Sequence, residues 1–240
     1  MRVAVILPAA GLGTRMGKSP GSRKQFLPLD GVPIFLYTLR KFVDAPSVTD
    51  IFVAVRGDDV EWTEQMISQQ QFTQQIHVVE GGDARQESVE KALRHVDPST
   101  DLVAVHDAVR PFIDQDTIEN VIRAAAETGA AIAGVVPVDT VKQVGPAGSR
   151  TTIRATIPRD RLVMAQTPQV FRYDLLVRAF ETARADGFIG TDEASLVERL
   201  EEVEVAVVAG TDRNIKITKP GDLELARVIS QFEHPSQEKP

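Results

Sequence analysis

The sequence contains no cysteine, so disulfides, thiolate catalysis and cysteine-ligated metals are excluded at once. Its four histidines are scattered and leave no pattern for a zinc site. No apolar run approaches the ~18 residues of a membrane span, so no membrane partner is expected. The N-terminal VAVILPAA follows a single basic residue and runs straight into a glycine-rich loop, which fits a buried strand better than a signal-peptide core. Two phosphate-binding fingerprints are missing as well. Met16 stands where G-x-G-x-x-G requires its third glycine after Gly11 and Gly13, and Gly13 and Gly17 are one residue too close for a Walker A loop. No G-x-S-x-G elbow is present, and no histidine accompanies a serine nucleophile.

What is there begins with charge. The net charge of −7 argues against a nucleic-acid partner. Residues 1–43 nevertheless hold seven basic residues against one acid, leaving 20 basic and 33 acidic in the rest. A local positive site on an acidic body suits a small polyanion. The 240 residues fit one large domain or two small ones, and no linker or repeat divides them. A single domain over 1–233 is therefore expected, with 234–240 as a disordered tail and a cytoplasmic location.

Short, β-branched apolar runs at 3–8, 51–55, 76–79, 102–106 and 131–138 predict strands, and their lack of alternation predicts burial on both faces of a mainly parallel sheet. Helical periodicity places Val89, Leu93 and Val96 on one face of 84–96, and Ile118, Val121, Ile122 and Ala125 on one face of 115–127. Leu225, Val228, Ile229 and Phe232 share a face of 221–232, which Pro220 opens. The fold class is thus α/β, a doubly wound sheet with ligands at the carboxyl ends of its strands. Residues 138–162, alternating around GPAGS, predict a protruding β-hairpin arm. Its exposed edges call for a covering subunit, hence a homodimer.

The glycine-rich PAAGLGTRMGKS (8–19) carries Arg15 and Lys18, with Arg23 and Lys24 close behind, and reads as a grip for a charged phosphate chain. In GGDARQES (81–88), free backbone N–H groups and the Ser88 hydroxyl could meet a base or ribose, or the stretch could simply cap a helix. HDAVRP (106–111) ends a buried strand on Asp107, a candidate Mg²⁺ ligand, while His106 reads as structural. Arg110 could orient Asp107 or touch phosphate. Arg159 or Arg161 could hold a second phosphorylated substrate. Lys216, in an apparent apolar strand in TDRNIKIT, could point into a site; TDEASLVERL reads first as a helix start capped by Thr191 or Asp192. A site of arginine, lysine and one aspartate, without a covalent catalyst, suits direct transfer between phosphates.

P-A-A-G-x-G-x-R-M, R-K-Q-F-L, G-G-x-x-R-x-x-S, H-D-A-x-R-P, Q-T-P-Q, T-D-E-A-S and N-I-K-I-T follow one another in this chain. In that order they resemble the 2-C-methyl-D-erythritol 4-phosphate cytidylyltransferases of non-mevalonate isoprenoid synthesis, over about residues 3–230. The resemblance implies a Rossmann-like nucleotidyltransferase fold and transfer of CMP from CTP to methylerythritol phosphate, with Mg²⁺. It implies that Pro8, Ala9, Ala10, Gly11 and Gly13 wrap the nucleotide, and that Gly82, Asp83 and Ser88 recognise cytosine and ribose. Asp107 would help hold the metal. Arg15 and Lys24 would stabilise the transition state at the α-phosphate, and Lys216 and Arg159 would position the second substrate. Thr140 and Arg159, on the arm, would serve the neighbouring subunit's site; Thr167 and Thr191 match further contacts. Residues 17–23, GKSPGSR, are longer than in many relatives. The rival readings are a ribitol 5-phosphate cytidylyltransferase and a non-catalytic nucleotide-binding regulator; Ala9-Ala10, where polyol enzymes more often carry Gly-Gly, and the joint presence of Arg15, Lys24, Asp107 and Lys216 argue against them.

Overall fold

The structure is a computed structural model that describes residues 1–11, 23–145 and 151–233. The chain runs β1 (Val3–Pro8), β2 (Pro28–Leu29), β3 (Val32–Pro33), α1 (Ile34–Val43), β4 (Asp50–Val55), α2 (Val60–Ser68), β5 (Gln75–Glu80) and α3 (Arg85–Leu93). It continues through β6 (Leu102–Val105), α4 (Gln115–Thr128), β7 (Ala130–Val135), β8 (Val141–Val144), β9 (Ile153–Ile157) and β10 (Met164–Arg172). α5 (Tyr173–Asp186), α6 (Glu193–Glu198), β11 (Ala206–Ala209) and α7 (Pro220–Glu233) complete it. The expected tail 234–240 and the GPAGS tip from residue 146 to 150 lie outside the described residues.

Seven strands form one sheet in the order β11-β7-β10-β6-β1-β4-β5. All neighbours are parallel except β10, which runs antiparallel between β6 and β7. Both faces of β1 are covered, as its unbroken apolar run predicts. Val3, Val5 and Leu7 pack with Phe35, Leu39 and Ile118 of α1 and α4, whereas Ala4 and Ile6 pack with Val89, Leu93 and Leu176 of α3 and α5. The 14-residue α4 is bounded by a side-chain cap, Asp114 accepting from the Thr117 N–H at 2.6 Å, and by Gly129 in the left-handed region at φ 92°.

All five predicted strands form, β1 with the predicted ends and the other four with shifted ones. β7 stops at Val135 and not at 138 because Pro137 has no N–H to give the ladder. β10 and β11 were not foreseen. The predicted hairpin is present as β8 and β9, paired from Val141↔Ile157 to Val144↔Ile153 in a two-stranded sheet of their own.

Two expectations are corrected. The predicted inner face of α7 is largely outside: Leu225, Val228 and Phe232 are exposed, and the buried residues are the small Ala226 and Ser230. The helix approaches Leu29, Ile34 and Ile217 closely, which small side chains permit. Residues 215–218 are irregular and form no strand; the Ile217 N–H donates to the Val109 carbonyl at 3.0 Å and its side chain is buried there.

Candidate active site

β1 lies at the switch point of the sheet, with β4 on one side and β6 on the other, so a crevice opens beyond the carboxyl ends of β1 and β6. The chain leaving β1 supplies Pro8–Gly11, and the chain leaving β6 supplies His106 and Asp107. The Ala9 N–H remains on the Ala54 carbonyl at 2.7 Å, which holds the start of the first loop to the sheet. A side chain at Gly81 would meet the Ala10 Cβ at 2.7 Å and the Ser88 Oγ at 3.0 Å, so the two glycine-bearing loops touch backbone to side chain. Ser88 is buried, accepts from the Gly82 N–H at 3.0 Å and donates to the Ala84 carbonyl at 2.9 Å, folding 81–84 into a tight bend before α3. Pro8, Ala9, Ala10, Gly11, Lys24, Gly82, Asp83 and Ser88 thereby line one cavity of about 200 Å³ with Asp107 and Lys216.

Asp107 is the electrostatic centre. Its Oδ1 accepts from Arg85 Nε at 3.0 Å, and its Oδ2 lies 2.8 Å from Lys216 Nζ and 3.4 Å from Arg110 Nε. Burial pushes its carboxyl up, but the charges of Arg85, Lys216 and Arg110 outweigh this and hold it well below the usual carboxylate range. Arg85, first residue of α3, also reaches Glu193 at the start of α6, its Nη1 lying 2.7 and 2.9 Å from the two carboxylate oxygens. Burial raises the Glu193 carboxyl above its ordinary value, with Arg85 opposing.

A second cavity of about 240 Å³ shares Arg85, Asp107 and Lys216 with the first and extends along Arg110, Gln166, Thr167, Thr191 and Asp192. Thr167 Oγ1 accepts from the Asp107 N–H at 3.1 Å, so its proton goes to His106 Nδ1, also at 3.1 Å. The remaining imidazole proton then lies on Nε2 and is donated to the Arg110 carbonyl at 3.1 Å. Burial pushes this imidazole down to about 4, so it is neutral and structural. Asn214, wholly buried, donates to Gln166 Oε1 at 3.1 Å and the Thr167 carbonyl at 2.9 Å, while its own carbonyl receives Arg110 Nη1 at 2.7 Å. Between the two readings of TDEAS, Asp192 is the cap, its Oδ1 accepting from the Ser195 N–H at 3.0 Å.

Asp107 and Lys216 thus join both cavities; Thr167 and Thr191 line only the second. Thr140 and Arg159 line neither. They are exposed on the arm, where Arg159 donates to the Val138 carbonyl. Gly13, Arg15 and Lys18 lie outside the described residues. Arg85, Glu193 and Gln25 were not singled out from sequence. An arginine three residues after a glycine pair and an acid beginning a helix each read as ordinary helix-end residues, and their meeting across 108 positions is what gives them a place in the site.

A sequence model of the 2-C-methyl-D-erythritol 4-phosphate cytidylyltransferase family matches residues 3–231. The enzyme of that name from Solibacter usitatus is 60% identical over 238 residues, 97% of each chain. Its counterpart from Acidobacterium capsulatum is 53% identical, covering 94% of this chain and 96% of its own. Among solved structures, the 4-diphosphocytidyl-2C-methyl-D-erythritol synthase of Anaerococcus prevotii superposes with a TM-score of 0.84 at 28% identity, over 95% of this chain and 96% of that one. The Francisella tularensis cytidylyltransferase gives 0.77 at 33% identity, over 95% and 99%.

Proposed function

The chain belongs to the 2-C-methyl-D-erythritol 4-phosphate cytidylyltransferase family, and from that premise we propose how its two cavities divide the reaction. The enzyme transfers CMP from CTP to 2-C-methyl-D-erythritol 4-phosphate in isoprenoid biosynthesis. A phosphate oxygen of the alcohol phosphate attacks the α-phosphorus of CTP, the bond to the β-phosphate breaks, and pyrophosphate leaves with that electron pair. The attacking oxygen is already ionised near neutral pH, so no general base is required. This accounts for a site built of cations and amides.

The observation that carries the division is the shared wall: Arg85, Asp107 and Lys216 border both cavities. In this reading the first cavity takes CTP, with Pro8–Gly11, Gly82, Asp83 and Ser88 around the nucleoside and Lys24 beside the phosphates. Arg15 belongs to the same grip. The second takes the alcohol phosphate, with Thr167 and Thr191 on its wall and Lys216 turned to the reacting groups.

The donor set fits magnesium. Asp107 Oδ1 receives one partner and keeps a second lone pair, and no group of three or more acids or histidines gathers among the described residues. One carboxylate, with phosphate and water completing the shell, is the arrangement Mg²⁺ favours. When bound, Mg²⁺ supplies charge neutralisation on the triphosphate. Asp107 would hold it, while Arg85 and Lys216 keep that carboxylate ionised and oriented.

Homodimer formation through the arm is part of the proposal. A hairpin of two strands is marginal alone in water. Val138 (75% exposed), Ile153 (66%) and Val136 (56%) are large apolar side chains left exposed on and beside it. A partner seated there would receive Thr140 and Arg159 at its own second cavity. A cytoplasmic location, where CTP is at hand, is part of the same proposal.

Pyrophosphate release with CTP and Mg²⁺ tests the reading. Release with methylerythritol 4-phosphate and not with ribitol 5-phosphate is expected. Release with ribitol phosphate alone would overturn the second-cavity assignment, and CTP binding without release from either would favour a regulator.

A further inference from the structure

Gln25 is 1% exposed, has no role in the reaction as described so far, and touches the nucleotide cavity. Its Nε2 donates to the Ala9 carbonyl at 2.5 Å and to the Gly11 carbonyl at 3.1 Å, both in the first residues of the loop leaving β1. One amide therefore ties residues 9 and 11 together. In a trans peptide the carbonyl and the following N–H point in opposite directions. With the Ala9 carbonyl drawn to Gln25, the Ala10 N–H of the same peptide is turned away from it. The Ala9 N–H is already committed to Ala54. Gln25 thus fixes the acceptor edge of the loop and leaves the donor edge to a ligand.

The amide is itself held rigidly. It sits in the 3-10 turn Lys24–Phe26, whose Phe26 ring packs edge-on against Phe35 of α1 at 5.6 Å and Trp62 of α2 at 4.7 Å. Arg23, just before the turn, forms an ion pair with Asp59. The same turn carries Lys24 into the cavity wall. A single clamped turn therefore sets both a cation and the backbone of the opposing loop.

We infer that Gln25 is a positioning residue for the CTP phosphates, acting through the backbone of residues 9–11. The inference rests on the assignment of the first cavity to CTP. Gln25→Glu preserves shape but puts an acceptor against two carbonyls, and Gln25→Met preserves length without a donor. Steady-state kinetics on the full chain should show KM for CTP raised on the order of tenfold by Gln25→Met, and more by Gln25→Glu. KM for methylerythritol phosphate should stay within about twofold, because its cavity does not include the loop. A residue that only stabilised the fold would lower the melting temperature and leave that KM split absent. An unchanged KM for CTP in a folded variant, an equal rise in both KM values, or failure of both variants to fold overturns the inference. Lys24→Ala separates the premise: if it leaves turnover and CTP affinity intact, the cavity assignment fails; if it lowers turnover while the Gln25 variants leave KM for CTP unmoved, only the inference fails.

Discussion

Replacing Asp107 by asparagine removes one charge from the meeting point of three cations while keeping the shape. The carboxylate is 7% exposed and contacts Lys216 at 2.8 Å, Arg85 at 3.0 Å and Arg110 at 3.4 Å. Orphaning a buried ionic partner costs about 3–5 kcal/mol. Here the loss is smaller, because the Arg85 and Lys216 side chains are 29% and 36% exposed and can turn to water. The amide oxygen also still accepts one bond, so about 2 kcal/mol of destabilisation is expected, or ~4–8 °C in melting temperature for a chain of this size. The effect on nucleotide binding has the opposite sign. Without magnesium, Asp107 repels the triphosphate, and removing one charge from a partly solvated site is worth about 1–2 kcal/mol after screening. Metal-free CTP should therefore bind roughly 5–30-fold tighter, while turnover with magnesium falls on the order of 10²-fold or more. Calorimetric titration of CTP in EDTA, beside thermal unfolding, measures both. Weaker metal-free CTP binding with an unchanged melting temperature would refute Asp107 as the central counter-ion.

The two adjacent glycines should respond differently. Gly81→Ala drives a Cβ into Ala10 and Ser88, whereas Gly82→Ala meets only the flexible, exposed end of Glu87; the first should impair CTP affinity by about tenfold and the second by less than about threefold, read from KM. Lys24→Ala and Arg15→Ala should each lower kcat about 10²–10³-fold with circular dichroism unchanged, and full activity in both would remove them from the catalytic group. Acid stability carries a signature of His106. Its imidazole sits at about 4 in the fold against an ordinary 6.5, so its contribution is complete above pH 6.5 and is lost as pH falls toward 4. Glu193, shifted upward, acts with the opposite sign above its ordinary value, and Asp107, shifted downward, acts below its own. The difference in melting temperature between wild type and His106→Gln should therefore shrink from pH 7 to pH 5, and a constant difference would contradict the buried neutral imidazole. Finally, if arms are exchanged, mixing inactive Arg159→Ala and Lys216→Ala subunits should restore about a quarter of wild-type activity, since half the dimers would carry one intact site; no recovery after verified subunit exchange would place Arg159 in its own chain's site.

The sheet was readable where hydrophobicity alone specified it. β1, β4 and β6 are unbroken apolar runs buried on both faces, and no other local structure would hide them. β10 escaped because its middle, Gln166 to Gln169, is polar and contains a proline. Those residues are buried through mutual hydrogen bonds, Gln166 with Asn214 and Gln169 with Asp192, and those partners are distant in sequence. The face of α7 was misread for a related reason. Its close contact is made by Ala226 and Ser230, which a hydrophobic period does not weigh, while the larger Leu225 and Phe232 stand outside. In the site, the glycine loops, Asp107 and Lys216 were found because a motif or an odd residue marked each one. Gln25 and Glu193 fall inside quoted motifs, but neither was given a role; what distinguishes them is burial beside a loop carbonyl or an arginine, a property of the folded pair.

If the two cavities take the two anionic substrates as proposed, their common wall also makes their occupancies interdependent. Any negative charge placed in one draws on Arg85 and Lys216 and reduces their attraction for an anion in the other. Thermodynamic linkage makes that penalty reciprocal: whatever CTP costs the alcohol phosphate in affinity, the alcohol phosphate costs CTP. A cation that neutralises the triphosphate relieves both at once. Magnesium should then act as a switch in the sign of cooperation between the substrates, from antagonism in its absence toward independence or mutual support in its presence.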